Sequence, residues 1–142
     1  MYRHILIPID GSELAEHGVA HGLALAKSLG AKVSVIFVVE PFSDMTGRFL
    51  ELVTTYAELR KEEATSVLDR AANAAKEAGV SGETILVESA QPHQAIIDAA
   101  KDKGCDLIVM SSHGRTGLSK LLIGSVTNKV LTYAKTPVLV CR

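Results

Sequence analysis

Short apolar runs alternate along this chain with longer stretches in which apolar residues recur every three or four positions. His4 to Ile9 is the first run. Val33 to Val39 is the second, nearly unbroken and rich in β-branched residues, as expected for a strand covered on both faces. Glu83 to Val87, Leu107 to Met110 and Pro137 to Cys141 predict three more strands. Between the first two, Asp10 to Leu29 sets Ala15, Val19, Leu23 and Ala26 at helical spacing and stops at Gly30. Glu40 to Leu52 is irregular, with Pro41, Ser43, Asp44 and Gly47. Glu51 to Ala78 is the longest helical stretch, closed by Gly79. Pro92 suits the first position of a helix over His93 to Lys103, and Ser125 to Ala134 predicts the last helix.

Strands alternating with helices predict an α/β chain, an open five-stranded parallel sheet with helices on both faces. Residues 1–142 read as one domain, without repeat or linker. Ligands of such sheets bind beyond the carboxyl ends of the strands, where strand order reverses. Order 3-2-1-4-5 sets Asp10 opposite the loop from Ser111 to Ser125. Order 2-1-3-4-5 brings in the loop from Glu88 to Pro92 instead. The chemistry favours the first, because Asp10 and the Ser111–Ser125 loop are the strand ends with functional character.

That loop is about fifteen residues long, where such connections usually run about 2–6. Gly114, Gly117 and Gly124 let a ligand approach the backbone. Gly124-Ser125-Val126-Thr127 reads as a phosphate-binding helix start, with N–H groups unpaired inside the helix and hydroxyls on Ser125 and Thr127. Neither the Walker spacing nor the dinucleotide fingerprint is present. Asp10 with Glu13 fits a capping box, and a carboxylate there also suits a ribose hydroxyl or a phosphate-bound Mg2+. His113 has no nucleophile or acid set beside it by spacing, so it reads as a hydrogen-bonding group rather than a catalyst. Arg115, next to Gly114, is a better candidate for a phosphate than Lys120.

Composition narrows the classes. A chain of 142 residues, 47% apolar, can bury a core without metal or disulfide staples. A net charge of -1 offers no electrostatic reason to expect nucleic acid or an anionic membrane as partner. No apolar run reaches a membrane span, and Met1-Tyr2-Arg3-His4 leads directly into a strand-like run; the expectation is a cytoplasmic protein. Cys105 and Cys141 lack a redox or zinc spacing and read as small core residues.

Taken together, Ser111-Ser112-His113-Gly114, nine intervening residues, then Gly124-Ser125 is similar to the G-2x-G-9x-G-(S/T) loop of ATP-binding universal stress proteins. The resemblance extends over the whole chain, including Ile5-Leu6-Ile7-Pro8-Ile9-Asp10-Gly11-Ser12, the Val35–Val39 strand and the ending Thr136-Pro137-Val138-Leu139-Val140. It implies a Rossmann-like sheet of the adenine nucleotide alpha hydrolase type, in the order 3-2-1-4-5. It implies ATP, AMP or ADP as ligand, with Mg2+ held through the phosphates beside Asp10. Pro8, Ile9 and Asp10 would border the nucleotide, Val38 would meet adenine through its backbone, and Met110 and Ser111 would lie near adenine and ribose. Gly114, Arg115, Gly124, Ser125, Val126 and Thr127 would surround the phosphates, and His113 would belong to the same nucleotide site. A homodimer through the final strand Pro137–Cys141 is implied as well, together with a protein partner of unknown identity.

Ser111 departs from the pattern, standing where the family has its first loop glycine. It carries a steric cost if that position needs a positive φ, and none if only a small side chain is required. The resulting expectation is a nucleotide-dependent regulatory dimer. A nucleotide-independent interaction module of the same fold is the alternative. A slow ATPase is disfavoured, since no general base or arginine finger stands out. A phospho-acceptor receiver domain is disfavoured because only Asp10, Glu88 and Cys141 occupy the places where its acids and lysine belong.

Overall fold

The computed structural model describes residues 1–42, 47–113 and 122–142. Its strands are β1 (His4–Ile9), β2 (Lys32–Val39), β3 (Gly82–Glu88), β4 (Leu107–Ser111) and β5 (Val138–Cys141). Its helices are α1 (Glu13–Leu29), α2 (Leu50–Ala78), α3 (Pro92–Lys103) and α4 (Ser125–Tyr133). The strands form one parallel sheet in the order β3-β2-β1-β4-β5, so the chain reverses its direction of winding between β1 and β4. The arrangement with β3 beside β4 is thereby excluded.

Period-two alternation divides the core between two faces. Ile5, Ile7 and Ile9 of β1 join Val33, Val35 and Phe37 of β2 under Ala15 and Val19 of α1 and Ala64 and Val67 of α2. Leu6, Ile36, Ile108 and Met110 face the other way, against Ile96 and Ala100 of α3 and Val130 of α4. Ile5, Leu6 and Ile7 are fully buried, and a side chain of that kind contributes about 1.5–3 kcal/mol on leaving water. α1 approaches β1 closely because Gly22 faces Ile7: a Cβ on Gly22 would come within 2.5 Å of the Ile7 Cδ1. The first buried residue of α2 is Ala64, so its amino-terminal turns, with Leu50, Leu52 and Leu59, stand in solvent.

The amino ends of the strands hold a polar cluster. The His4 ring contacts the Lys103 carbonyl through Nδ1 at 3.1 Å and the Ser34 hydroxyl through Nε2 at 2.7 Å. Ser34 donates to Glu83 at 2.8 Å, and Lys103 Nζ donates to the other Glu83 oxygen at 3.1 Å. A carbonyl can only accept, so Nδ1 carries a proton. With His4 neutral, the single Ser34 hydroxyl proton then faces two acceptors, Nε2 and the Glu83 carboxylate. Asp106 accepts from the backbone N–H groups of Arg3 and His4.

Cys105 is buried, as its reading as a core residue requires, and burial pushes its thiol up to about 11, with Asp106 and Glu83 adding to the effect. Cys141 is half-buried on the edge strand β5 and packs against the core beneath α1 and α2.

Candidate functional site

The reversal between β1 and β4 leaves a crevice at the carboxyl edge of the sheet, and the described candidate residues lie at or near the carboxyl ends of β1, β2 and β4 and at the start of α4. β1 ends at Ile9, after which Asp10 and Gly11 turn the chain into α1. Gly11 has φ +82°, a left-handed conformation that a side chain would strain. The Asp10 carboxylate accepts from the Ser12 N–H at 3.0 Å, closing the turn. Ser12 is the cap of α1, its hydroxyl accepting from the Ala15 N–H at 3.2 Å. The capping box of Asp10 with Glu13 therefore does not form. Ser12 is the shorter donor–acceptor side chain nearer the helix, and its use there leaves Asp10 at the rim of the crevice.

Pro8 and Val38 form the floor. Both belong to the face shared with Leu6 and Ile36, and both are half-buried where the remaining β1 residues and the other β2 residues from Val33 to Val39 are buried. Met110, on the same face, is buried between them and α4. An apolar floor left partly open beside a strand end suits a flat aromatic ring. Ile9 faces away, into the α1–α2 side of the core, so only its backbone borders the crevice.

At the far side, β4 ends in Ser111, and the next residues form a clasp. The Ser112 N–H donates to the Cys141 carbonyl at 2.7 Å, and the Ser112 carbonyl accepts from the Gly124 N–H at 2.7 Å. Ser112 is buried, and it holds together the end of β4, the end of β5 and the entry of α4. The long loop thus leaves and returns through adjacent positions. Nothing in the spacing of the sequence singled out Ser112; its importance lies in backbone groups that every residue possesses. Gly114 and Arg115 lie outside the described residues.

α4 opens at Gly124, which has φ -58° and ψ 154°, with no side-chain cap and no acidic residue in the first turn. The N–H groups of the first turn point along the helix axis without intrahelical partners, where the helix dipole favours negative charge. Ser125 is exposed, whereas Gly124 and Val126 are partly exposed. Thr127 differs from expectation. It is buried, and its hydroxyl donates to the Ser111 carbonyl at 2.9 Å, so its backbone rather than its hydroxyl is what it can offer a ligand.

Ser111 needs no positive φ: no described residue other than glycine has one. It continues β4, and its hydroxyl donates to the His113 carbonyl at 2.8 Å. The steric cost considered for serine at this position is absent. His113 Nδ1 sits 2.9 Å from the Ser112 hydroxyl, while its buried Nε2 has no hydrogen-bond partner among the described residues. Among the described residues no group of three or more His, Cys, Asp or Glu side chains could hold a metal ion.

The family model of the universal stress protein family matches residues 1–142. Universal stress protein MJ0531 of Methanocaldococcus jannaschii is 37% identical over 145 residues, covering 100% of this chain and 83% of the relative. The solved structure of protein MJ0577 from the same organism superposes with a TM-score of 0.84 at 32% identity, covering 99% of this chain and 95% of that one. A universal stress protein solved in complex with cAMP matches with a TM-score of 0.74 at 25% identity, covering 99% of this chain and 97% of that one.

Proposed function

This chain belongs to the universal stress protein family, and on that footing we propose that it binds an adenine nucleotide, ATP above all, and acts as a nucleotide-dependent regulatory dimer in the cytoplasm. The observations that support the reading are an uncapped helix start at Gly124–Thr127, reached from β4, and a half-open floor of Pro8 and Val38 on the neighbouring strands β1 and β2. The first feature suits phosphate, and the second suits a base. The cAMP-bound relative supports an adenine nucleotide as the ligand class.

The residues present fit such a ligand. Backbone N–H groups of Ser125, Val126 and Thr127 would hold phosphate oxygens, with Gly114 and Arg115 contributing from the loop. Asp10, at the rim, would face a sugar hydroxyl or a Mg2+ ion carried by the phosphates; the ion would offset phosphate charge. Pro8, Val38 and Met110 would lie under the base, with the backbone of Ile9 at its border and Ser111 and His113 beside the ribose and phosphates. The dimer would form through β5, which is an edge of the sheet and exposes Leu139. Nucleotide occupancy would change the surface that a protein partner meets.

The test is to denature purified protein, look for released adenine nucleotide, and then follow melting with added ATP and Mg2+. Ligand at 100 times its dissociation constant stabilises the fold by about 2.7 kcal/mol. No released nucleotide together with no shift at millimolar ATP would refute the proposal.

A further inference from the structure

β3 is the other edge of the sheet. It pairs with β2 alone among the described strands, so the N–H and C=O groups of its outer side are left without a ladder. α2 covers one of its faces. On the opposite face α3 sits over β2 and leaves the flank of β3 open. Ile36 of β2 is fully buried, whereas its neighbour in register, Ile85 of β3, is only half-buried, and Val87 is likewise.

The result is a groove of about 600 Å³ between β3 and α3. Its floor is apolar, made by Ile85, Val87, Ala95 and Ala99. Its rim carries the carboxylates of Glu88, Asp98 and Asp102, against one amine, Lys103, which is already held by Glu83 at 3.1 Å. The groove follows α3, whose twelve residues span about 18 Å. An extended chain of five or six residues, at about 3.3 Å each, has the same length.

We propose that this groove docks an extended, basic segment of a partner protein, which joins β3 as an additional strand. Main-chain groups of the segment would complete the open ladder, and its side chains would alternate between two environments. Those on the α3 side would lay aliphatic stems over Ile85 and Val87 and carry a positive charge to Asp98 and Asp102, as lysine and arginine do on apolar surfaces with a charged rim. Those on the other side would meet Leu86, an exposed apolar residue of β3. The recognised pattern is therefore basic and apolar in strict alternation. The groove adjoins the crevice, Val87 of its floor being the register neighbour of Val38, but none of its lining residues is one assigned to the nucleotide.

A fluorescently labelled peptide of about six residues, alternating lysine and valine, tests this by anisotropy and by amide chemical-shift mapping on the full chain. The expected result is saturable binding with shifts concentrated in β3 and α3. The double variant D98K/D102K, whose two positions are exposed and leave the core intact, should bind at least about tenfold more weakly. A peptide of the same composition with its lysines in one block, and one methylated on alternate backbone nitrogens, should also bind at least about tenfold more weakly. Equal binding of a glutamate–valine peptide or of the block peptide, shifts at β5 instead of β3, or self-association of the chain through β3 that excludes the peptide would each overturn the proposal.

Discussion

The hydroxyl of Thr127 donates to the main-chain carbonyl of Ser111 at 2.9 Å, and both residues are buried. That bond ties the first turn of α4 to the end of β4, across the base of the long loop. Thr127→Val keeps the shape and removes the donor, leaving a buried carbonyl unsatisfied. It should cost about 1–3 kcal/mol in chemical denaturation, while Thr127→Ser should cost less than half as much. Loss in Thr127→Ser with none in Thr127→Val would point to methyl packing instead.

Ser111→Gly would restore the glycine typical of the family's loop. Because Ser111 lies in β4 without a positive φ and its hydroxyl serves the His113 carbonyl, the change relieves no strain. It should destabilise the fold by about 1 kcal/mol, through greater chain entropy and a lost hydrogen bond, and leave nucleotide affinity within about threefold. A stabilised variant in a urea titration would contradict the absence of strain at Ser111.

Most of the fold was legible in the chain, and the reasons are specific. Val33 to Val39 is apolar throughout because β2 is covered on both faces, and the observed strand differs only by the addition of Lys32. Strand order was not legible from periodicity. It is legible only from which strand ends carry chemistry, and the structural outcome is β1 beside β4. The clasp at Ser112 was invisible because it is made by main-chain atoms. The role of Ser12 as cap was hidden because Asp10, Ser12 and Glu13 all fit a helix start, and only the observed turn at Gly11 separates them. The spacing offers the hydroxyl of Thr127 to a ligand, yet a residue at the third helical position can equally face the core, as Thr127 does.

The polar cluster around His4 makes stability depend on pH. Burial lowers the His4 pKa below 6.5, aided by Lys32; the Lys103 carbonyl, Glu83 and Asp106 oppose this and only reduce the shift. Hydrogen bonds from Ser34 and Lys103 lower that of Glu83 below 4.5. Burial raises that of Asp106, but the backbone N–H groups of His4 and Arg3 outweigh it and leave the carboxyl below 3.8. In all three the unfolded chain binds protons more readily, so each contribution is complete above the unfolded pKa and is lost as pH falls through the folded one. Stability should therefore begin to decline as pH drops below 6.5, the ordinary His4 value. His4→Gln should flatten this first part of the decline and leave the steeper acid limb of Glu83 and Asp106. A wild-type curve that rises as pH falls below 6.5 would reverse the assigned direction.

Leu139, 43% exposed on the edge strand β5, is the side chain that the proposed dimer would cover. Leu139→Lys should shift the molecule from dimer to monomer in analytical ultracentrifugation, with no change in the helical circular dichroism of the monomer. A wild type that sediments as a monomer at high concentration, or a variant that remains dimeric, would remove β5 from the interface.

The central claim concerns the uncapped start of α4, and Ser125→Asp tests it most directly. Ser125 is exposed, and an acidic residue in a first helical turn stabilises the helix by about 0.3–1 kcal/mol. The same charge occupies the space where phosphate is proposed to lie. The ligand-free variant should melt at or above the wild-type temperature, while the stabilisation by ATP and Mg2+, about 2.7 kcal/mol at 100 times the dissociation constant for wild type, should largely vanish. An equal response to ATP in both proteins, or no response in either, would contradict the account.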